Sequence, residues 1–288
     1  MIISIASGKG GTGKTSLALL LASVRPGVTV ADCDVEEPNC HLLLAPTWHQ
    51  PDEEITVMTP VLDAGRCTGC GRCSEVCMFN AIAIAGDKAV IFDELCHSCG
   101  GCILACPASA LAEGTKTIGV INSGMASVFP GIKLVSGHLR VGTPNATPLI
   151  KALKKELAAQ AGDIIVDCPP GTACAMVAAV KDSDFCLLVT EPTPFGRHDL
   201  ALAIGIVRML ALPAGVVINK SDPAADHIID DLCREHGMPV IARLPYSTDF
   251  ARQYAAGKIS HEFAEIASQI WDWLTAAKEA SACKNLSS

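Results

Sequence analysis

The fold of this chain is decided near its start by the stretch Ser7-Gly8-Lys9-Gly10-Gly11-Thr12-Gly13-Lys14-Thr15-Ser16. The apolar residues 1–6 before it predict a buried strand, and the apolar residues 17–22 after it predict a helix. A glycine-rich turn between a strand and a helix directs backbone N–H groups towards an anion at the helix N-terminus. The stretch therefore predicts a phosphate site rather than a tight turn without a ligand.

The spacing Gly-x4-Gly-Lys-Thr is the phosphate-binding loop pattern of nucleotide-binding proteins. It predicts that Lys14 reaches the β- and γ-phosphates and that the Thr15 hydroxyl ligates Mg²⁺. The remaining nucleotide-binding positions of the loop are Gly8, Gly10, Gly11, Thr12, Gly13 and Ser16.

The second lysine of the loop, Lys9, narrows this interpretation. The string Lys9-Gly10-Gly11-Thr12-Gly13-Lys14-Thr15 resembles the deviant phosphate loop of the MinD/ParA ATPases, a group that includes the nitrogenase iron protein. The resemblance implies that Lys9 reaches across an ATP-dependent homodimer, or a heterodimer with a paralogue, to the partner's nucleotide. A cation there stabilises charge on the γ-phosphate only after two subunits meet. Taken alone, Lys9 also fits a solvated surface charge.

Composition excludes several classes of protein. Half of the 288 residues are apolar and 18% are charged, which excludes an intrinsically disordered chain. The net charge of −8 argues against non-specific binding to nucleic acid or to an anionic membrane. The sequence has neither a secretory signal pattern nor eighteen consecutive apolar residues, so we expect a soluble, cytoplasmic protein.

Eight of the fifteen cysteines fall between residues 67 and 106, which favours metal or cluster ligation over disulfides. They form two repeats of the spacing Cys-x2-Cys-x2-Cys-x3-Cys, the signature of a bacterial two-cluster ferredoxin. In that arrangement the fourth ligand of each [4Fe–4S] cluster comes from the other repeat. The first cluster is therefore assigned to Cys67, Cys70, Cys73 and Cys106, and the second to Cys96, Cys99, Cys102 and Cys77.

Two tetrathiolate zinc sites are the alternative, and the repeated spacing with Cys106-Pro107 makes them a poorer match. Met78 stands where proline usually follows the last cysteine of a repeat. We predict an inserted ferredoxin domain over residues 63–114 because the α/β pattern resumes with an apolar strand at 117–121. Residues 1–62 and 115–288 then form the ATPase domain, which the resemblance implies is a doubly wound, mostly parallel α/β sheet.

Carboxylates follow two further predicted strands, at residues 28–31 and 163–166. Ligands of open α/β sheets lie at the carboxyl ends of strands, so these groups should lie near the phosphates. The resemblance implies that Asp34 is in the first switch and orients the attacking water; a helix N-cap is the alternative. It also implies that Asp167 associates with Mg²⁺ indirectly, as does Asp34, and that Gly171 belongs to the second switch. Lys9, Lys14, Asp34 and Asp167 are thus the candidate catalytic residues.

The base of the nucleotide is expected near Asn219-Lys220-Ser221-Asp222, which resembles the base-recognition loop of phosphate-loop proteins. The resemblance implies that Asn219 faces adenine, with Asp222 in the same loop and Pro245 at the pocket wall. An Asx turn is the alternative for this loop.

A predicted C-terminal helix over about residues 260–280 carries an apolar face and an excess of acidic residues. A membrane anchor of the MinD type would be basic and amphipathic, so we expect this helix to pack on the core. Of the remaining cysteines, Cys33, Cys168 and Cys174 lie near the predicted switches, where small buried residues are the default interpretation.

Two functions fit this sequence. The first is an electron carrier that uses ATP/ADP, Mg²⁺ and two [4Fe–4S] clusters and delivers electrons to a partner protein. The second is an ATP-dependent factor that assembles iron–sulfur or metal cofactors or positions a protein complex.

Overall fold

The computed structural model describes residues 1–49 and 51–285, with side chains described as far as residue 280. The strands are β1 (Ile2–Ala6), β2 (Thr29–Asp32), β3 (Pro46–Trp48), β4 (Glu53–Leu62), β5 (Ile82–Ala85), β6 (Lys88–Ile91), β7 (Leu111–Ala126), β8 (Lys133–Leu139), β9 (Ile164–Asp167), β10 (Phe185–Thr190), β11 (Ala214–Ser221) and β12 (Val240–Pro245). The helices are α1 (Lys14–Ser23), α2 (Cys40–Leu44), α3 (Arg72–Glu75), α4 (Gly101–Leu104), α5 (Thr147–Leu157), α6 (Cys174–Val180), α7 (Pro194–Met209), α8 (His227–Glu235), α9 (Thr248–Ala255) and α10 (Ala264–Asn285).

Within these described residues, ten strands form one sheet in the order β12-β11-β10-β1-β9-β2-β8-β7-β3, and β4 also pairs with β7. The strands from β12 to β8 in that order are parallel, whereas β7 is antiparallel to β8, β3 and β4. Apolar cores lie on both faces of the sheet, one packed with α5 to α8 and the other with α1 and α10. This architecture confirms the predicted doubly wound α/β fold.

The central parallel strands β10, β1 and β9 are buried on both faces, which explains their mainly apolar sequences. All six residues of β10 are buried, and β1 lies between β10 and β9 at the centre of the sheet. The phosphate loop therefore leaves the middle of the sheet at its carboxyl edge. This is the edge at which ligands of such folds bind.

Residues 63–110 lie between the two strands of a long antiparallel ribbon made by β4 and β7. They contain the β5–β6 hairpin, α3 and α4, and their apolar core is separate from the two main cores. The strand expected at residues 117–121 is the middle of β7, which begins at Leu111 and pairs with all of β4. The insert thus stands at the end of a ribbon that is continuous with the main sheet.

The C-terminal helix packs on the sheet face that also carries α1. Phe263, Ile270 and Leu274 are buried there, as the predicted apolar face requires. Trp271 is also buried, and its Nε1 donates a hydrogen bond to the Leu21 carbonyl oxygen at 3.0 Å. Across the described residues, no helix has both the length and the apolar content that a membrane span needs.

Candidate nucleotide site and cysteine groups

The phosphate loop joins β1 to α1 and needs glycine at several positions. Gly11 and Gly13 have φ angles of 75° and 95°, in the left-handed region that favours glycine. A β-carbon at Gly13 would collide with the Asn219 side chain, and one at Gly8 would collide with the Asp199 backbone. The loop can therefore lie close to neighbouring segments while its N–H groups surround one concavity.

Lys14 and Thr15 begin α1 and face the buried end of β9. The Thr15 hydroxyl donates a hydrogen bond to Asp167 Oδ2 at 2.5 Å. Asp167 is fully buried, and its Oδ1 has no hydrogen-bond partner among residues 1–49 and 51–285; the same holds for the Thr12 hydroxyl. Buried polar atoms are rarely left without a partner, so these two atoms fit a site completed by phosphate and a hydrated Mg²⁺.

The pKa of Asp167 is raised to about 8, mainly by burial and also by the nearby charge of Asp32. The Thr15 hydrogen bond and the positive charge of Lys14 act in the opposite direction. A bound Mg²⁺ would favour the ionised carboxylate, because a metal ion lowers the pKa of groups around it.

Asp32 organises the first predicted switch. It ends β2 opposite Asp167 of β9, and its carboxylate accepts backbone hydrogen bonds from Asn39 and Cys40 at 3.0 Å and from Asp34 at 3.3 Å. These bonds fold residues 33–40 back over the end of the sheet. Burial is the main reason that the pKa of Asp32 rises to about 6.

Asp34 lies half-buried in this loop. Its pKa is also raised to about 6, mainly by burial, and the charge of Lys14 opposes the rise. Asn39, and not Asp34, occupies the N-cap position of α2, so the alternative of a helix cap does not apply to Asp34.

Gly171 lies on the other side of the loop. Its backbone N–H donates to the Ser7 carbonyl oxygen at 3.1 Å, and its φ of 91° needs glycine. The first turn after β9 is thus connected directly to the start of the phosphate loop.

A cavity beside the phosphate loop has the composition of a base pocket. Its polar side includes Gly11, Gly13, Ser16, Asn219 and Lys220, and its wall includes Pro245, Tyr246, Phe250, Tyr254 and Phe263. Aromatic and apolar walls with a few polar groups are typical of pockets for planar ligands.

Asn219 connects this pocket to the loop, because its Nδ2 donates to the Thr12 carbonyl oxygen at 2.7 Å. Asp222 does not line the pocket. Its carboxylate accepts the backbone N–H of Ala224 at 3.0 Å, which is the Asx-type turn considered as the alternative.

Lys9 forms an ion pair within its own subunit. Its Nζ lies 3.7 Å from Glu191 Oε2, and Lys220 Nζ lies 2.7 Å from Glu191 Oε1. One of these lysines comes from the phosphate loop and the other from residues 219–222, here called the base loop. The two lysines therefore share one carboxylate.

The insert brings the eight clustered cysteines into two groups of four. The first group lines one cavity and consists of Cys67, Cys70, Cys73 and Cys106. The second group lines another cavity and consists of Cys77, Cys96, Cys99 and Cys102. The grouping is the one that the spacing predicts, with the last cysteine of each repeat joining the opposite group.

Backbone N–H groups point at the sulfur atoms of both groups. Ala81 donates to Cys77 Sγ at 3.3 Å, and Ala110 donates to Cys106 Sγ at 3.2 Å. N–H bonds from Gly69 and Ala89 lower the pKa of Cys67. Four cysteines with N–H donors around an apolar concavity fit a [4Fe–4S] cluster, whose thiolate ligands carry negative charge.

One family match covers nearly all of the residues that form the main sheet. The family described as the CobQ/CobB/MinD/ParA nucleotide binding domain matches residues 3–260. The chain belongs to this CobQ/CobB/MinD/ParA family.

Both a sequence relative and a solved structure are similar to this chain. It is 31% identical to an uncharacterised protein, MJ0579, of Methanocaldococcus jannaschii, over 76% of this chain and 80% of the relative. Its fold is similar to the septum site-determining protein MinD of Pyrococcus horikoshii, whose structure is a complex with Mg-ADP. That similarity has a TM-score of 0.54 and 18% identity, and it covers 93% of this chain and 95% of the other.

A shorter match is to a ferredoxin. Over 54 residues the chain is 35% identical to ferredoxin-1 of Chlorobaculum tepidum, which covers 17% of this chain and 87% of the ferredoxin.

Two parts of the candidate site were not predicted from the sequence. The ring-bearing face of α9, with Phe250 and Tyr254, lines the base pocket but was not predicted as a helix. The other part is Glu191. It follows β10 directly, and this position at the carboxyl edge of the sheet could have marked it as a candidate site residue.

One prediction about the lone cysteines was wrong. Cys33 and Cys168 are fully buried as expected, but Cys174 is exposed because it begins α6 at the surface.

Proposed function

We propose that this protein is an ATPase whose nucleotide-dependent dimerisation controls electron transfer through two [4Fe–4S] clusters to a partner protein. The observation that carries the proposal is that one chain combines the Thr15–Asp167 pair with two cavities of four cysteines each. The family match and the similarity to MinD support the nucleotide site. The match to a ferredoxin supports the binding of iron–sulfur clusters.

In this proposal the residues of the nucleotide site have separate roles. Lys14 holds the β- and γ-phosphates, and Thr15 with Asp167 holds the hydrated Mg²⁺ in place. Asp34 orients a water molecule towards the γ-phosphate, and Lys9 of the second subunit stabilises the charge that develops there. Asn219 and the wall formed by Pro245 and α9 hold the base.

The two groups of four cysteines would each hold one cluster, and the clusters would supply one-electron transfer at this site. The protein's own contribution is to fix the thiolates and to direct N–H groups at them. The apolar lining, which includes Leu62, Ile84 and Leu111 in the first cavity, limits access of water to the sulfur atoms.

A chain of contacts supports coupling between the two sites. Val35, next to Asp34, accepts a hydrogen bond through its carbonyl oxygen from the Leu139 N–H at 2.8 Å. The loop after Leu139 continues to residues 143–145. These residues line a cavity together with residues 96–98, which include Cys96 of the second cysteine group. The first switch and the second cysteine group are thus connected through a single loop.

Analysis of anaerobically purified protein tests the composition that this function requires. We expect about eight iron and eight acid-labile sulfide per chain, and ATP hydrolysis that depends on Mg²⁺. One zinc per cysteine group with no sulfide would contradict the cluster assignment. Hydrolysis by a protein that carries zinc would leave an ATP-dependent assembly or positioning factor as the better account.

A further inference from the structure

Glu191 lies where the phosphate loop and the base loop meet. It follows β10 at the carboxyl edge of the sheet, and only 15% of its side chain is exposed. The side chains of Lys9 and Lys220 beside it are 33% and 49% exposed. One mostly buried carboxylate therefore lies between two lysines that come from loops 211 residues apart in the sequence (220 − 9).

The two ion pairs are unequal. The 2.7 Å contact with Lys220 has the length of a charge-assisted hydrogen bond, whereas 3.7 Å to Lys9 is too long for a hydrogen bond. The pair with Lys9 is therefore the weaker one. A mostly buried carboxylate is costly to leave without any cation, but Lys220 would still compensate Glu191 after Lys9 had moved away.

We propose that Glu191 is a positioning residue that holds Lys9 inside its own subunit and thereby opposes ATP-dependent dimerisation. This inference rests on the proposed function, in which Lys9 acts on the nucleotide of the second subunit. Before pairing, Lys9 forms an ion pair with Glu191. On pairing, Lys9 exchanges this carboxylate for the partner's phosphate, and Lys220 alone keeps Glu191 compensated.

The proposal predicts opposite effects from changes on either side of Glu191. Glu191→Gln removes the charge that holds Lys9, so dimerisation should become tighter. Lys220→Met removes the competing cation, so Glu191 should hold Lys9 more strongly and dimerisation should become weaker. Partly exposed ion pairs contribute about 0.2–1 kcal/mol, which corresponds to about 1.4- to 5-fold in the dimer Kd.

The experiment measures the dimer Kd by sedimentation at a saturating concentration of a non-hydrolysable ATP analogue. It uses the full chain, purified anaerobically with its clusters. Glu191→Gln should lower the dimer Kd and Lys220→Met should raise it. In the Lys9→Ala background, Glu191→Gln should have no further effect, because the group that it releases is gone. Glu235→Gln is the matched control, since Glu235 forms an exposed ion pair with Arg197 instead.

The possible results distinguish a failure of the role of Glu191 from a failure of the proposed dimerisation. An unchanged or raised dimer Kd in Glu191→Gln, or a lowered Kd that persists in the Lys9→Ala background, overturns the role of Glu191 alone. A wild-type protein that binds the analogue and stays monomeric overturns the proposed dimerisation, and this inference with it. Binding of a fluorescent ATP analogue to each variant shows whether the chain is folded and nucleotide-competent.

Discussion

Lys14 and Asp34 have different proposed roles, so substitutions of these residues should have different effects. Lys14→Ala should weaken ATP binding by about ten- to a hundredfold, since a hydrogen bond to a charged group contributes about 1.5–3 kcal/mol. Asp34→Ala should leave binding largely intact and stop hydrolysis, because orienting water matters only for the chemical step. Calorimetric titration and phosphate release measure the two effects.

Lys155, an exposed lysine of α5, provides the matched control for the lysine change. Lys155→Ala should leave both binding and hydrolysis as in the wild type. Equal loss of ATP binding in Lys14→Ala and Asp34→Ala would show that Asp34 does not have the role assigned to it.

The raised pKa of Asp167 makes stability depend on pH in the absence of nucleotide and Mg²⁺. In the folded protein this group keeps its proton up to about pH 8, whereas its ordinary pKa is 3.8. Between these values the folded state binds more protons than the unfolded state, so the free energy of unfolding falls as pH rises. Asp167→Asn should flatten the fall in melting temperature between pH 5 and pH 8.

Asp231→Asn is the control for this change, because Asp231 is an exposed aspartate on α8. It should keep the slope of the wild type. The same slope in Asp167→Asn as in the wild type would contradict a protonated Asp167 in the nucleotide-free protein.

At the scale of elements, the loop between β8 and α5 connects the nucleotide site to one cysteine group more directly than to the other. Residues 143–145 face residues 96–98, whereas the lining of the first cysteine cavity comes entirely from residues 62–111. We therefore expect nucleotide to shift the midpoint potential of the second cluster more than that of the first.

Cys70 and Cys99 allow the two potentials to be assigned, since they are exposed and occupy equivalent positions in the two repeats. The nucleotide-sensitive step in a redox titration should be altered in Cys99→Ser and unaltered in Cys70→Ser. A nucleotide-sensitive step that responds to Cys70→Ser instead would place the coupling at the first cluster.

Local sequence was sufficient for the phosphate loop, for the buried parallel strands and for α5, because each is a continuous apolar or helical pattern. It was not sufficient for β8, in which Ser136, Gly137 and His138 interrupt the apolar residues. The length of the β4–β7 ribbon also could not be predicted, because pairing between strands 49 or more residues apart is not a local signal (111 − 62).

In the candidate nucleotide site, too, residues in local motifs could be predicted, whereas contacts between distant parts of the sequence could not. The expected positions follow from motifs that place Lys14 and Thr15 at the start of α1 and Asp167 at the end of β9. The shared contact of Glu191 with Lys9 and Lys220 joins three separate loops, so it becomes visible only when the sheet order is known.

For the whole molecule, the central claim is that the nucleotide site and the cysteine groups act together. Closure of a dimer would change hydrogen bonding, solvent exposure and charge around the insert, and these factors set the potential of a [4Fe–4S] cluster. A one-electron potential shift of about 59 mV is a tenfold change in the reduction equilibrium.

The most direct test is the midpoint potential of the clusters without nucleotide, with ADP and with a non-hydrolysable ATP analogue. We predict a shift of tens of millivolts, on the order of 1 kcal/mol, between the nucleotide-free and the ATP-analogue states, and its loss in Lys9→Ala. Identical potentials in all three states of a protein that still dimerises with the analogue would contradict this account.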